Sequence, residues 1–195
     1  MALAKKNEKY TIHDYFSWDD GERWELIGGF IYNMTPAPRL RHQDVVLNFG
    51  SVLNRMLKGQ TCKPFVAPTD VVLSDEDVVQ PDVLVVCDPK KMEGDRIEGA
   101  PDFIAEVLSP STAAKDRREK RALYEAHGVK EYWLVDPDAR LAERYLLKKG
   151  KYGVSEVLLP DQTVDLPSLK GVSVALIEIF GEEEPKKPVN GPPKA

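Results

Sequence analysis

Two short runs of apolar residues constrain the fold of this chain more than any other feature of its sequence. VLVV (residues 83–86) and YWLV (residues 132–135) carry an apolar side chain at every position. Because side chains alternate between the two faces of a strand, a strand with one solvated face would alternate apolar and polar residues. Unbroken apolar runs are typical of central strands that are covered on both faces by helices. The sequence therefore predicts an α/β fold.

The elements around these runs predict the order of the core. Apolar residues recur at three- and four-residue steps over residues 39–58, which indicates an amphipathic helix closed by Gly59. Hydroxyl residues at 109–112 and Gly128 bracket a second helix that ends near residue 127. Strands are expected at residues 62–66, 70–73, 82–86, 103–108 and 131–135. Without its additional elements, the core from residue 39 onward has the order α-β-β-β-α-β, which predicts a sheet with a helix on each side.

Shorter elements are expected at both ends of this core, and residues 88–100 are predicted to form a loop. Gly28-Gly29 permits the positive φ angles of a tight turn and predicts an N-terminal hairpin. Gly150 indicates a C-terminal hairpin. The predicted additions are a helix at residues 11–16, hairpin strands at 23–27 and 30–34, hairpin strands at 142–147 and 152–158, and a helical turn at 176–180.

Length and composition predict one globular domain at residues 1–180 and a disordered proline-rich tail at residues 181–195. The sequence has no run approaching the ~18 apolar residues of a membrane helix, so no membrane association is expected. Cys62 and Cys87 lack metal-ligand spacing, and both are expected to be reduced in a cytoplasmic protein. The net charge of −5 argues against indiscriminate coating of nucleic acid.

Two carboxylates are candidates for a metal site. Glu106 lies between apolar residues of its predicted strand, where a carboxylate is costly unless it is paired or metal-bound. Asp102 stands four residues earlier on the same strand, ~13 Å away, which is too far to share an ion. Asp82 opens a different strand and can lie beside Glu106. The alternatives are a structural ion pair for Glu106 and a turn role for Asp82.

The second predicted helix offers a lysine to this site. At 100° per residue, Asp116, Lys120 and Tyr124 form one stripe, and Lys120 can reach Glu106 and Asp82. Ala122, Leu123 and Ala126 are expected to dock on the sheet. The alternative for Lys120 is an i,i+4 surface pair with Asp116. Arg117, Arg118 and Arg121, together with Lys115, predict a phosphate-facing patch, although a solvated charged face explains them equally well.

Glu25 and His42 are two further candidates. Glu25 is a carboxylate within the otherwise aromatic and apolar stretch WELI, and His42 begins the long helix, where backbone N–H groups favour anions. Ordinary surface or capping roles are the alternatives for both.

These segments resemble the PD-(D/E)XK restriction-endonuclease-like superfamily and, within it, the Uma-type endonuclease family. The matching motifs are RWELIGGFIY, RHQDVV, PDVLVV, GAPDFIAEVLSPST, the stripe on the second helix and GVKEYWLVDP. The resemblance implies the α-β-β-β-α-β core, Mg²⁺-type metal at Asp82 and Glu106, and hydrolysis of DNA. The superfamily lysine usually stands two residues after the acid, where this chain has Leu108. In the Uma-type branch it stands on the following helix, and Lys120 fits that pattern.

The resulting hypothesis is a DNA endonuclease that depends on Mg²⁺ or Mn²⁺. Asp82 and Glu106 would ligate the metal, Lys120 would stabilise the phosphate, and Glu25 would assist the site. Tyr124, His42 and Asp116 are expected to support it. The rival is a catalytically silent module of the same fold that binds nucleic acid or protein, and an acidic interaction scaffold is a third possibility. The family also implies a homodimer.

Overall fold

The structure is a computed structural model of the chain that describes residues 8–34 and 37–182. A π-helical segment, Asp116–Lys120, joins the helical residues Ala113–Lys115 directly to Arg121–Ala126, so that the three segments form one continuous helix. Residues 183–195, most of the predicted tail, lie outside the described residues. The α-helices of the described part are α1 (Ile12–Ser17), α2 (Leu40–Met56), α3 (Ala113–Lys115), α4 (Arg121–Ala126) and α5 (Leu176–Phe180).

The strands are short, and most lie within a residue or two of the predicted positions. In chain order they are β1 (Trp24–Ile27), β2 (Phe30–Asn33), β3 (Lys63–Val66), β4 (Val71–Ser74), β5 (Asp77–Val79), β6 (Val83–Val86), β7 (Ile97–Glu98), β8 (Phe103–Val107), β9 (Glu131–Asp136), β10 (Leu141–Lys148), β11 (Lys151–Tyr152), β12 (Glu156–Leu158), β13 (Thr163–Asp165) and β14 (Ser173–Ala175).

The central sheet has seven strands and confirms the predicted core. Its order is β11-β10-β9-β8-β6-β3, and β12 also pairs with β10. Strands β8 and β9 are parallel, whereas β6 is antiparallel to both β3 and β8, so the sheet is mixed. Read along the chain, α2, β3, β6, β8, the α3–α4 helix and β9 give the order α-β-β-β-α-β.

Both faces of the central sheet are buried, as the unbroken apolar runs predict. Val83 and Trp133 point toward α2, where the Phe49 ring centroid lies 5.6 Å from that of Trp133. Leu84 and Leu134 point the other way and pack in the same cluster as Tyr124 of α4. The two helices therefore cover opposite faces of one sheet, and the face under α4 carries the candidate site.

The N-terminal hairpin belongs to a second sheet that the sequence did not predict. This five-stranded sheet has the order β2-β1-β5-β4-β7. Strand β5 was missed, and the loop predicted at residues 88–100 is wrong in part, because it contains a 3-10 turn at Pro89–Met92 and strand β7. Strands of two or three residues are too short to show the two-residue periodicity of a strand. The second sheet matters because β1 carries Glu25.

The C-terminal part also differs in detail from the prediction. The hairpin around Gly150 is present, but the strand predicted at residues 152–158 is divided into β11 and β12, which both pair with β10. Strands β13 and β14 form an additional two-stranded sheet. The predicted final helical turn is confirmed as α5.

The expectation of two reduced cysteines is wrong for this structure, because Cys62 and Cys87 form a disulfide. Strands β3 and β6 are antiparallel with Lys63 opposite Val86, so the residues just beyond that pair, Cys62 and Cys87, stand opposite each other. Two cysteines 25 residues apart give no sign of this register in the sequence. The cytoplasmic location stays a prediction.

No helix in the described part of the chain is both long and apolar enough to cross a membrane.

Candidate active site

Asp82 and Glu106 stand opposite each other on neighbouring strands. In the antiparallel pair β6–β8, Val83 lies opposite Ala105, so Asp82, just before β6, faces Glu106. The Asp82 Oδ2 atom accepts a hydrogen bond from the Val107 N–H at 2.8 Å, which fixes its carboxylate against β8. Asp102, the rejected alternative, precedes the other end of β8, where it accepts a hydrogen bond from the Cys87 N–H.

Glu106 is buried on the face of the sheet that α4 covers. Its neighbour two residues back, Ile104, packs in the same cluster as Tyr124, whereas Phe103 and Val107 pack on the α2 side, as the predicted alternation requires. The Glu106 Oε1 atom accepts hydrogen bonds from Lys120 Nζ at 2.8 Å and from the Tyr124 hydroxyl at 2.6 Å. A buried carboxylate without such donors would be strongly unfavourable.

Lys120 reaches Glu106, as the sequence predicts, but the predicted contact with Asp82 is wrong, because in the described part of the chain its ammonium pairs instead with Glu25 and Asp116. Its ammonium lies 2.8 Å from Glu106 Oε1, 2.7 Å from Glu25 Oε1 and 3.9 Å from Asp116 Oδ1. The i,i+4 contact with Asp116 is thus the longest of the three, and Lys120 is buried rather than on the surface. The side of the helix that faces the sheet is therefore the one that carries Asp116, Lys120 and Tyr124. The expectation that Ala122 and Ala126 dock there is wrong, since both are exposed.

Glu25 links the second sheet to the site. It is fully buried on β1, and its Oε1 atom accepts a hydrogen bond from the Gln80 N–H at 3.1 Å. Lys120 contacts the same oxygen, and Lys115 Nζ donates to Oε2 at 2.7 Å. Glu25 is therefore held between two ammonium groups.

Lys115 is a site residue whose position the sequence reasoning misplaced. Residues five apart in an α-helix differ by about 140°, so Lys115 and Lys120 would point in different directions. The π-helical segment between them, which is closed by i→i+5 bonds, brings both ammonium groups to Glu25. Such segments are frequent at functional sites. No pattern in the side chains of DRREK reveals this widening of the helix.

His42 and Asp116 complete the cluster. His42 lies in the first turn of α2, and its Nε2 atom is 3.2 Å from Asp82 Oδ2, whereas its buried Nδ1 atom has no hydrogen-bond partner in the described part of the chain. Asp116 is buried, and its backbone carbonyl accepts a hydrogen bond from the Tyr132 hydroxyl at 3.0 Å. The structure thus brings all three predicted supporting residues, including Tyr124, to the predicted metal ligands and Lys120.

The charges of the cluster do not balance. The four carboxylates of Glu25, Asp82, Glu106 and Asp116 surround two lysine ammonium groups, so the fully ionised cluster has two excess negative charges before His42 is counted. Burial raises the pKa of Glu106 to about 8; Lys120 opposes this shift, and the neighbouring acids reinforce it. Such an excess of charge in a buried site favours a divalent cation.

The other pKa values follow from the same contacts. Burial opposes ionisation of Glu25, but Lys120 and then Lys115 outweigh it and lower the pKa of this carboxyl. Burial raises the pKa of Asp116, although Lys120 and a hydrogen bond with Thr112 oppose the shift. Burial acts to lower the pKa of His42, but the hydrogen bond and charge of Asp82 outweigh it and raise that pKa. Lys120 stays cationic for the same reason, since its three acidic neighbours raise its pKa despite its burial.

The three arginines of the predicted phosphate-facing patch have different surroundings in the structure. Arg117 forms an ion pair with Glu143 at 2.5 Å, and the Arg121 guanidinium carbon lies 4.8 Å from the centroid of the Tyr145 ring. Arg118 is exposed. Arg117 and Arg121 therefore have partners within the chain, and contact between the three arginines and phosphate stays a prediction.

The donor set fits a hard divalent cation. Among the described residues, Asp82 Oδ1 and Glu106 Oε2 accept no hydrogen bond, because the donors around each carboxylate use its other oxygen. No three His, Cys, Asp or Glu side chains in residues 8–34 and 37–182 form a ready-made metal cage. Mg²⁺ commonly uses one or two carboxylates and keeps several waters, so these two oxygens suffice.

Comparison with known proteins identifies relatives of the chain and of its fold. A crystal structure described as “a putative nuclease belonging to DUF820”, from Anabaena variabilis, matches with a TM-score of 0.72 at 23% identity, covering 87% of this chain and 97% of that one. The uncharacterized protein slr1290 of Synechocystis is 30% identical over 134 residues, which are 65% of this chain and 68% of that protein.

The order of the core elements and the mixed central sheet define a restriction-endonuclease-like α/β fold. The model of the Uma2 family, described as “Putative restriction endonuclease”, matches residues 12–177. The chain belongs to this family, and the resemblance drawn from the sequence motifs is confirmed.

Proposed function

We propose that this protein is a metal-dependent endonuclease that hydrolyses DNA phosphodiester bonds. The observation that carries the proposal is the buried Glu106 carboxylate, which faces Asp82 across β6 and β8 and receives the Lys120 ammonium at 2.8 Å. A carboxylate pair with an adjacent ammonium is the donor set for holding a metal ion beside a phosphate. The descriptions of the family and of its structural neighbour support the same activity.

Each side chain has a role that follows from its contacts. Asp82 Oδ1 and Glu106 Oε2 would hold Mg²⁺ or Mn²⁺, which supplies a water nucleophile of lowered pKa and neutralises phosphate charge when bound. Val107 N–H and His42 orient the Asp82 carboxylate. Lys120 stabilises the negative charge that develops on the phosphate or positions the attacking water.

The remaining contacts keep Lys120 in place. The Tyr124 hydroxyl orients Glu106, and Glu25 holds both Lys120 and Lys115. Because Glu25 and Glu106 contact the ammonium from two different sheets, its position is fixed by both. Such preorganised charge needs little rearrangement when the phosphate arrives.

The experiment is cleavage of supercoiled plasmid and single-stranded DNA with Mg²⁺ or Mn²⁺ by wild type, Glu106→Gln and Lys120→Met. Asp102→Asn is the control, because Asp102 is a buried carboxylate like Glu106 but lies at the other end of β8. Wild type and Asp102→Asn should cleave, whereas the other two variants should lose at least about 100-fold in rate. Equal cleavage by all four proteins would refute the assignment.

A second candidate is a silent binding module of the same fold. The observation that favours it is the Lys120 ammonium, which already bridges Glu25 and Glu106 as in a structural ion-pair network. Calorimetric titration with Mg²⁺ and Mn²⁺ separates the two candidates. Heat of binding that is abolished in Glu106→Gln supports the nuclease, and the absence of metal binding with or without DNA supports the silent module.

Homodimerisation stays a prediction. It would affect how DNA is cut, because one active site cuts one strand at a time and a dimer has two. Light scattering should give twice the chain mass of 21.9 kDa. A monomeric mass would predict nicking of one strand rather than cutting of both.

A further inference from the structure

The hairpin beside the candidate site carries two aromatic rings on the face that points toward it. In the β1–β2 pair, Glu25 lies opposite Tyr32 and Ile27 opposite Phe30. Residues directly opposite each other in an antiparallel pair project from the same face of the sheet. Tyr32 therefore neighbours Glu25, and Phe30 follows two residues further from the cluster along the same face, with 44% of its surface exposed.

Each of these rings has a lysine ammonium next to it. Lys115 Nζ lies 5.2 Å from the centroid of Tyr32 and also pairs with Glu25, and Lys9 Nζ lies 6.0 Å from the centroid of Phe30. Strand β2 is an edge strand of its sheet in the described part of the chain. Two ring–ammonium pairs thus lie along β2: Tyr32 with Lys115 next to the candidate cluster, and Phe30 further away with Lys9, whose ammonium also pairs with Glu76.

We propose that this aromatic face (Phe30 and Tyr32, with Lys9 and Lys115) binds unpaired bases of single-stranded DNA next to the phosphate that is cut, which rests on the proposed nuclease function. Proteins that bind single strands combine aromatic rings, on which bases stack, with cations that follow the phosphates. The bases of an intact duplex are stacked on each other and offer no free face to a ring. The substrate class is therefore single-stranded or locally unpaired DNA.

The position of Lys115 connects the face to the chemistry. Its ammonium contacts the Glu25 carboxylate on one side and the Tyr32 ring on the other, and its side chain is partly exposed, unlike that of Lys120. A base on the hairpin would place its own phosphate near Lys115. Lys120, Asp82 and Glu106 would then lie deeper in the protein than that phosphate, because Lys120 is more buried than Lys115.

The test is fluorescence anisotropy with labelled DNA in buffer containing EDTA, so that no cleavage occurs. The three probes are a single-stranded oligothymidylate, the same strand with abasic residues, and a duplex of equal length. The proteins are wild type, Tyr32→Leu, Tyr32→Phe, Phe30→Leu and the control Phe16→Leu. Phe16 is a matched control because it is 40% exposed and its ring centroid lies 4.2 Å from the Arg96 guanidinium carbon. Arg96 directly precedes β7, which is at the opposite edge of the sheet from β2.

Tyr32→Leu and Phe30→Leu should each weaken binding of oligothymidylate by about five-fold or more and leave binding of the abasic strand and the duplex unchanged. Tyr32→Phe keeps the ring and should bind as wild type does, and so should Phe16→Leu. The proposal is overturned if Tyr32→Leu and Phe30→Leu bind oligothymidylate like wild type. It is also overturned if they lose as much affinity for the abasic strand.

This experiment separates the two proposals. If cleavage depends on Glu106 but no leucine variant changes the binding of oligothymidylate, the nuclease function stands and the aromatic face is refuted. If base-dependent binding is lost in Tyr32→Leu while no DNA is cleaved with Mg²⁺ or Mn²⁺, the aromatic face stands and the nuclease function is refuted.

Discussion

Replacing Glu106 by Gln should change how the stability of the fold depends on pH. Burial raises the pKa of Glu106 from an ordinary 4.5 to about 8. Between these pH values the folded state therefore holds a proton that the unfolded state has lost. The stabilisation from this group is fully present below its unfolded pKa and is lost as pH rises through the folded pKa. Gln has no such proton, so the variant lacks this loss.

The size of the effect follows from the width of that window. Where the folded state holds one extra proton, the free energy of unfolding falls by about 1.4 kcal/mol per pH unit. From about pH 5 to pH 8, wild type should therefore lose roughly 4 kcal/mol relative to Glu106→Gln. Because Glu106 titrates together with the neighbouring acids, the difference between the two profiles reports the effect of removing Glu106 from that coupled group.

The assay is urea unfolding of both proteins in metal-free buffer at four pH values across this window. Linear extrapolation gives the free energy of unfolding at each pH. Profiles that stay parallel within about 1 kcal/mol, an error typical of such extrapolation, would show that folded Glu106 holds no extra proton. They would mean that Glu106 is ionised throughout, with Lys120 alone compensating its burial.

Three further predictions concern stability and are tested by urea unfolding. Lys120→Met should cost about 3–5 kcal/mol, because it leaves the buried Glu106 without its ammonium; a loss below about 1 kcal/mol would contradict this. His42→Asn should lower the free energy of unfolding more near pH 5.5 than near pH 9. The pKa of His42 is raised in the folded state, so its proton stabilises the fold at low pH, and this contribution is lost above that pKa. Equal losses at both pH values would contradict this prediction. Phe49→Ala should lower the free energy of unfolding by about 3–5 kcal/mol, because Phe49 is fully buried. Leu47→Ala should lower it by less than about 0.5 kcal/mol, because Leu47, on the same helix, is 68% exposed. Similar losses for both variants would refute the orientation of α2.

The central sheet could be predicted from the sequence because its strands are covered on both faces. VLVV and YWLV allow few other interpretations, and the periodicity of α2 supplies one of the covering helices. The second sheet could not be predicted. Its central strand β5 and its edge strand β7 are so short that only pairing with neighbouring strands identifies them.

Asp82 could be chosen over Asp102 as the partner of Glu106 from the sequence alone. At ~3.3 Å per residue along a strand, Asp102 lies too far from Glu106 to share a metal ion with it. The placement of Lys115 could not be inferred, because it depends on a π-helical segment that no residue type marks. The contact between His42 and Asp82 likewise depends on how α2 packs across the sheet. Local sequence thus identified the acids, Lys120 and the supporting residues, whereas the contacts of Lys115 and His42 depend on the π-helical segment and on the packing of α2.

The most direct test of the metal site is a crystal grown with Mn²⁺ and measured for anomalous scattering. We expect one strong peak between Asp82 and Glu106, about 2.0–2.6 Å from Asp82 Oδ1 and Glu106 Oε2, that is absent in Glu106→Gln. A peak bound to other residues, or no peak at saturating Mn²⁺, would contradict the assignment of these two carboxylates.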